Sequence, residues 1–238
     1  MPSPTAVLLA LVAALAAAAC SFGAETVPPP GHYDENGLHV VEHSPRQCSV
    51  CKLYADAKGY VVRIQSSSLG AGVVVTPEGL VATNQHVVGK ARSVTVPAAN
   101  GTDYVGRVLA TSEELDLALV QLESDDTWPT PQLHDDTPHP VGSDVYVIGH
   151  PLGLGWTVTR GIISGYQRLT QGAHGTMIQT DAAVSPGNSG GAMLDANGHL
   201  IGIVTSKVDA EGAENLAFAR PTQALLDFVR SVDPGAGD

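Results

Sequence analysis

The chain has 238 residues, 43% of them hydrophobic, enough for one domain of this size or two small barrels sharing an interface. Its 12 Lys+Arg against 24 Asp+Glu give a formal net charge of −12. That sign argues against a nucleic-acid partner, whose phosphates demand cations, and against electrostatic attraction to anionic lipid.

From the N-terminus, Ala6 to Ala19 is almost purely Ala, Leu and Val. The run is short for a membrane span and suits the apolar region of an export signal, which we place at residues 1–20. Ala17-Ala18-Ala19 before Cys20 resembles a lipoprotein cleavage site, in which a lipidated Cys20 would tether the protein to a membrane. Plain cleavage and an uncleaved anchor stay open, because Ala17 replaces the usual large aliphatic and no Lys or Arg precedes Arg46. Residues 21–47 read as a linker, stiff at Pro28-Pro29-Pro30-Gly31. His32, His39 and His43 precede Cys48-Ser49-Val50-Cys51. A short-loop disulfide formed after export is the preferred reading of these two cysteines, with a zinc site from His39, His43, Cys48 and Cys51 as the alternative.

Beyond Lys52 the pattern is β, with apolar alternation punctuated by Gly, Asn and Pro. Six strands are expected first: Tyr60–Gln65, Gly72–Val75, Leu80–Asn84, Ser93–Val96, Tyr104–Ala110 and Leu117–Leu122. Ser124 to Pro140, rich in Asp, Pro and Thr, reads as a connection between two halves. Six more strands follow at Asp144–Gly149, Thr157–Gly165, Met177–Thr180, Gly191–Leu194, Leu200–Thr205 and Asn215–Ala219. Arg220-Pro221 then introduces a helix over Thr222 to Val232, with Leu225, Phe228 and Val229 on one face.

The chemistry centres on Gly187-Asn188-Ser189-Gly190-Gly191. A hydroxyl on a glycine-flanked turn, beside backbone N–H groups free to face an oxyanion, is what acyl transfer requires. The pentapeptide also matches the nucleophile elbow of α/β-hydrolases, but that fold needs a helix next and then an acid and a histidine downstream. Here the continuation reads strand, Asn-Gly turn, strand, and the downstream His199 lies beside that turn. Upstream, His86 lies in Thr83-Asn84-Gln85-His86-Val87-Val88 and Asp116 opens Asp116-Leu117-Ala118-Leu119. His, Asp, Ser is the chain order of the double-barrel serine proteases.

With Gly70-Ala71-Gly72-Val73-Val74-Val75, Ile148-Gly149-His150-Pro151-Leu152-Gly153 and Thr180-Asp181-Ala182-Ala183, these segments cover roughly residues 48–232, and the chain resembles the HtrA (Deg) group of trypsin-like serine proteases. The resemblance implies an all-β fold of two six-stranded antiparallel β-barrels, the trypsin-like double barrel, with a short C-terminal helix. The protease domain would span 48–238, with barrels at about 55–122 and 141–220 and the helix at about 222–232. It implies an exported serine endopeptidase, periplasmic or secreted, acting on unfolded or damaged polypeptides, with no cofactor and no metal. Ser189 would be the nucleophile, His86 the general base and Asp116 its orienting acid. The oxyanion hole would form at Gly187, Asn188 and Ser189, with the N–H groups of Gly187 and Ser189 as donors.

Ala183 stands six residues before the serine, where trypsin has its pocket aspartate, and Val184 and Ser206 are expected to line the same pocket. A small or medium aliphatic residue is therefore expected before the cleaved bond. The neutral Asn188 cannot pair with a freshly cut N-terminal ammonium; the resemblance implies control by ordering of the Ser185–Asn188 loop instead. Beside that resemblance no PDZ domain is expected after the helix, and the segment between Gln65 and Gly72 is too short for the long interlocking loop of some relatives. A homotrimer built through the barrel is compatible with the sequence. Two other classes compete: a non-hydrolytic peptide-binding or chaperone protein using the same cleft, and a metal- or redox-responsive module built on the His/Cys segment.

Overall fold

The computed structural model describes residues 49–133, 138–169, 175–207 and 216–232, with the strand residues His32–Tyr33 and His39–Val40. The chain divides into two units, Met1–Gln47 and Cys48–Asp238. In the first, β1 (His32–Tyr33) pairs antiparallel with β2 (His39–Val40), His32 opposite Val40. The linker reading had no strand here, because a two-residue ladder is too short to register as alternation. The export segment, Cys20, His43 and Cys48 lie outside the described residues. Cys51 is disulfide-bonded.

The second unit opens with α1 (Ser49–Ala57), where the sequence pointed to strands only. Leu53 and Ala57, four residues apart, are the pair it buries. Lys52 and Asp56 face solvent as an i,i+4 ion pair on the other side. Two anchors and a cysteine spacing are a faint helical signal, which explains why the pattern did not stand out.

Two closed antiparallel barrels follow. β3 (Val61–Gln65), β4 (Leu69–Val74), β5 (Leu80–Thr83), β6 (Ser93–Pro97), β7 (Asp103–Ser112) and β8 (Leu117–Leu122) close in the order β3-β4-β5-β8-β7-β6. β9 (Asp144–Gly149), β10 (Thr157–Leu169), β11 (Gly175–Thr180), β12 (Ala192–Asp195), β13 (Leu200–Lys207) and β14 (Ala217–Pro221) close in the order β10-β11-β14-β13-β12-β9. All twelve expected strands are present. The largest difference is β10, which runs four residues past Gly165 because a register shift between Ile163 and Gly165 absorbs the glycine. The expected start of β14 at Asn215 lies outside the described residues.

One apolar cluster joins Val61, Ile64 and Leu119 of the first barrel to Ile148, Leu194 and Ile203 of the second, so the barrels share a core. The connection between them is packed down as well. Trp128 is buried edge-on against Tyr104, its backbone N–H donates to Pro77 O at 2.9 Å, and Leu133 bridges to Leu200. The described course ends in a helix, Thr222–Val232, whose buried face carries Leu225 and Phe228.

Candidate active site

Asp116 closes the tight turn before β8. It is one of two non-glycine residues among those described with positive φ, at 51°. A side chain in that region is strained by about 1–2 kcal/mol and persists where its surroundings fix it. Asn84 Nδ2 donates to Asp116 O at 2.9 Å, and Arg220 Nε donates to Leu115 O at 2.9 Å. The carboxylate points at His86, which sits on a one-turn helix, Gln85–Val88, that the sequence reading did not contain. Asn84 stands at its N-cap position without a side-chain cap bond; its Nδ2 is turned to Asp116 O, and its Oδ1 has no hydrogen-bond partner.

His86 Nδ1 lies 2.8 Å from Asp116 Oδ2 and 3.0 Å from Oδ1, and the His86 backbone N–H donates to Oδ1 at 3.1 Å. A carboxylate only accepts, so Nδ1 carries the proton and Nε2 keeps its lone pair. Thr205 Oγ1 donates to Asp116 Oδ2 as well. Burial pushes the Asp116 carboxyl up, but the hydrogen bonds from His86 and Thr205 and the His86 charge outweigh it and hold the group below its ordinary value.

Ser189 comes from the second barrel. Its Oγ donates to Thr205 O at 3.0 Å, and its own carbonyl accepts from Ala71 N–H on β4 at 2.7 Å. His86 and Asp116 are thus in direct contact, whereas Ser189 reaches Asp116 only through Thr205, and no hydrogen bond joins His86 to Ser189. Thr205 serves both ends because β13 carries a register shift between Val204 and Ser206. The sequence reading missed Thr205: the run Leu200-Ile201-Gly202-Ile203-Val204-Thr205 is almost continuously apolar and gives no sign of a bulge.

The glycines around the serine are required by space. A Cβ on Gly187 (φ 99°) would lie 2.3 Å from His150 O, and one on Gly190 (φ 84°) would lie 2.0 Å from Ala71 O. Asn188 N–H donates to Ser185 O at 2.9 Å and Gly190 N–H to Val204 O at 2.7 Å. Among the described residues, no acceptor is bonded to Gly187 N–H or Ser189 N–H. Two amides without an internal acceptor, flanking a hydroxyl, are the arrangement an oxyanion needs. Of the expected pocket residues, Ala183 is exposed with its carbonyl accepting from Thr159 Oγ1 at 2.8 Å, and Val184 packs on the second barrel's apolar cluster. Ser206 is placed by its backbone, paired with Phe218.

His150 buttresses this loop. Its N–H donates to Gly187 O at 3.3 Å, and its ring is 2% exposed, edge-on to Trp156, with neither nitrogen hydrogen-bonded. Burial, and then the nearby Arg63, push its pKa down from 6.5 to about 4. The unfolded chain therefore takes up this proton first, and stability that is full above about pH 6.5 is lost as pH falls toward about 4. At about 1.36 kcal/mol per pH unit the loss is on the order of 3 kcal/mol. Denaturant midpoints from pH 7.5 down to 4 should fall more steeply for the wild type than for His150→Phe, since the buried carboxylates contribute alike to both. Equal slopes would refute the assignment.

Among the described residues there is no cluster of three His, Cys, Asp or Glu able to hold a metal, and no helix long and apolar enough to cross a membrane. Residues 70–203 match the family model described as a trypsin-like peptidase domain. Over 169 residues the chain is 40% identical to a Haemophilus influenzae protein named "Probable periplasmic serine protease do/HhoA-like", covering 69% of this chain and 36% of that protein. It is 35% identical to serine endoprotease DegS of the same species, over 71% of this chain and 52% of that one, and 38% identical to periplasmic serine endoprotease DegP of Salmonella typhimurium, over 68% and 35%. The chain thus spans about a third to a half of the length of these relatives. Among solved structures it resembles the HtrA-type protease AlgW with a tripeptide, at TM-score 0.70 and 34% identity over 76% of this chain and 64% of that one. The serine endoprotease from Yersinia pestis matches at TM-score 0.69 and 29% identity, over 82% and 69%.

Proposed function

Since this chain belongs to the trypsin-like peptidase family, of HtrA type, we propose that it is a serine endopeptidase that cuts unfolded or damaged polypeptides through an acyl-enzyme. The reading rests above all on the Asp116–His86 pair, tied through Thr205 to the Ser189 hydroxyl. Rotation about the Ser189 Cα–Cβ bond moves Oγ from Thr205 O toward His86 Nε2. Oγ then attacks the peptide carbonyl carbon as its proton passes to Nε2, and the carbonyl oxygen takes the negative charge against the N–H groups of Gly187 and Ser189. His86 returns the proton to the leaving amine. Water, deprotonated by the same imidazole, then releases the acyl group. Asp116 holds the tautomer and stabilises the imidazolium throughout.

Ala183, Val184 and Ser206 form a pocket without an acid, suited to a small or medium aliphatic side chain before the cut. Asn188 carries no charge for an N-terminal ammonium, so ordering of the Ser185–Asn188 loop controls activity. The working compartment is the periplasm, by the names of the relatives, with Cys20 as a lipid tether and a barrel-mediated homotrimer as further elements of the proposal.

One observation favours a non-hydrolytic peptide-binding or chaperone role instead: Ser189 Oγ is engaged by Thr205 O rather than by His86. A fluorophosphonate separates the two, because it reacts fast only with an activated serine. The peptidase digests casein, is labelled at the peptide containing Ser189, and loses digestion on labelling. Unlabelled protein that leaves casein uncut would establish the binding role.

A further inference from the structure

The turn that carries Asp116 is held from across the barrel interface. Arg220, on β14 of the second barrel, is 1% exposed, and its Nε–H donates to Leu115 O at 2.9 Å, 105 residues away in sequence. Leu115 immediately precedes the aspartate whose backbone is in the left-handed region. A conformation of that kind survives only when its neighbours over-determine it. Asn84 anchors the carbonyl of the strained residue itself, and Arg220 anchors the carbonyl of the residue before it.

Packing and hydrogen bonds act together here. Leu115 packs in part on the shared core, and its N–H donates to Ser112 Oγ at 3.2 Å. With Arg220 it also walls a cavity of about 390 Å³, shared with Tyr166, Ile178 and Ile201, and the Arg220 bond is what holds its carbonyl. The donor is itself well placed. Pro221 and Thr222 follow directly, and Thr222 Oγ1 donates to Leu200 O at 2.9 Å, so Arg220 issues from a fixed strand-to-helix junction. Burial works against the guanidinium charge, whereas the carboxylates of Asp116 and Glu114 favour it.

We infer that Arg220 is a positioning residue for the peptidase reaction, a strut from the second barrel that sets the backbone of the Leu115–Asp116 turn and so the aim of the Asp116 carboxylate at His86. The inference rests on the catalytic role proposed for Asp116. It assigns Arg220 no contact with substrate. Thr205 holds the carboxylate itself from the second barrel, and Arg220 holds the chain that bears it, so the two barrels are registered at two levels of one residue.

The test is steady-state kinetics on casein for Arg220→Met and Arg220→Lys beside Asp116→Asn, with rates expressed per folded molecule. Arg220→Met should lower kcat by about tenfold to a hundredfold with KM little changed, the scale of misplacing a catalytic group by about an ångström. The acid limb of its kcat/KM profile should move as well, which a loss of stability alone does not produce. Arg220→Lys, which keeps a cationic N–H donor, should recover part of kcat and part of the limb, and it supplies the measurement if the methionine variant does not fold. Variants that lose only thermal stability, with wild-type kcat and wild-type acid limb, would overturn the inference and leave the triad intact. An Asp116→Asn protein as active as wild type would instead remove the reading beneath it.

Discussion

Ser189→Ala should lower kcat on casein by about 10⁶-fold, the scale found when the nucleophile of such a site is deleted. The substitution removes one oxygen and leaves everything else that binds substrate. Gly187 N–H and Ser189 N–H still lack an internal acceptor, and the His86–Asp116 pair does not depend on the lost hydroxyl. What remains is the modest acceleration that binding and amide donors supply alone, roughly 10³–10⁴ over water. Folding should change little: the serine hydroxyl makes one hydrogen bond, to Thr205 O, worth about 1 kcal/mol. Casein digestion followed by mass spectrometry, with circular dichroism to verify the fold, measures both. An alanine variant digesting near the wild-type rate would remove Ser189 as nucleophile.

Asp116→Asn should cost about 10⁴-fold in kcat with the backbone in place. The carboxylate receives three donors: His86 N–H, His86 Nδ1–H and the Thr205 hydroxyl. An amide offers a single acceptor oxygen and turns an NH₂ toward the remainder. If that NH₂ faces the ring, the imidazole shifts its proton to Nε2 and Nδ1 becomes the acceptor. Nε2 then has no lone pair for the serine proton, and the imidazolium has no counter-charge. Rates compared with wild type across neutral pH, with KM recorded, test this. Loss confined to KM would show that Asp116 serves substrate binding rather than proton transfer.

Much of this was legible in the sequence because the informative residues announce themselves locally. Period-two alternation bounded by Gly, Asn and Pro marks the strands, and β8 and the C-terminal helix have the expected ends. His86, Asp116 and Ser189 each lie in a short segment of recognisable type. What escaped depends on partners remote in sequence. Trp156 Nε1 donates to Val61 O at 2.7 Å and Tyr54 OH to Trp156 O at 3.0 Å, which docks α1 on the second barrel, yet nothing beside Tyr54 or Trp156 signals either bond. Arg220 reads as the residue before a helix-starting proline and nothing more. Thr205 was passed over for its neighbour Ser206, since alternation locates a strand but not the bulge that turns one residue aside.

That bulge has a consequence for how this protein can vary. Thr205 offers its hydroxyl to the Asp116 carboxylate of one barrel and its carbonyl to the Ser189 hydroxyl of the other, and a strand presents opposite faces at successive residues. Deleting or inserting a single residue in β13 would therefore disconnect both halves at once, with no point change able to restore either. Inherited changes of length should accumulate in the connections and spare this stretch, much as wear spares a hinge pin whose loss would part the door from its frame.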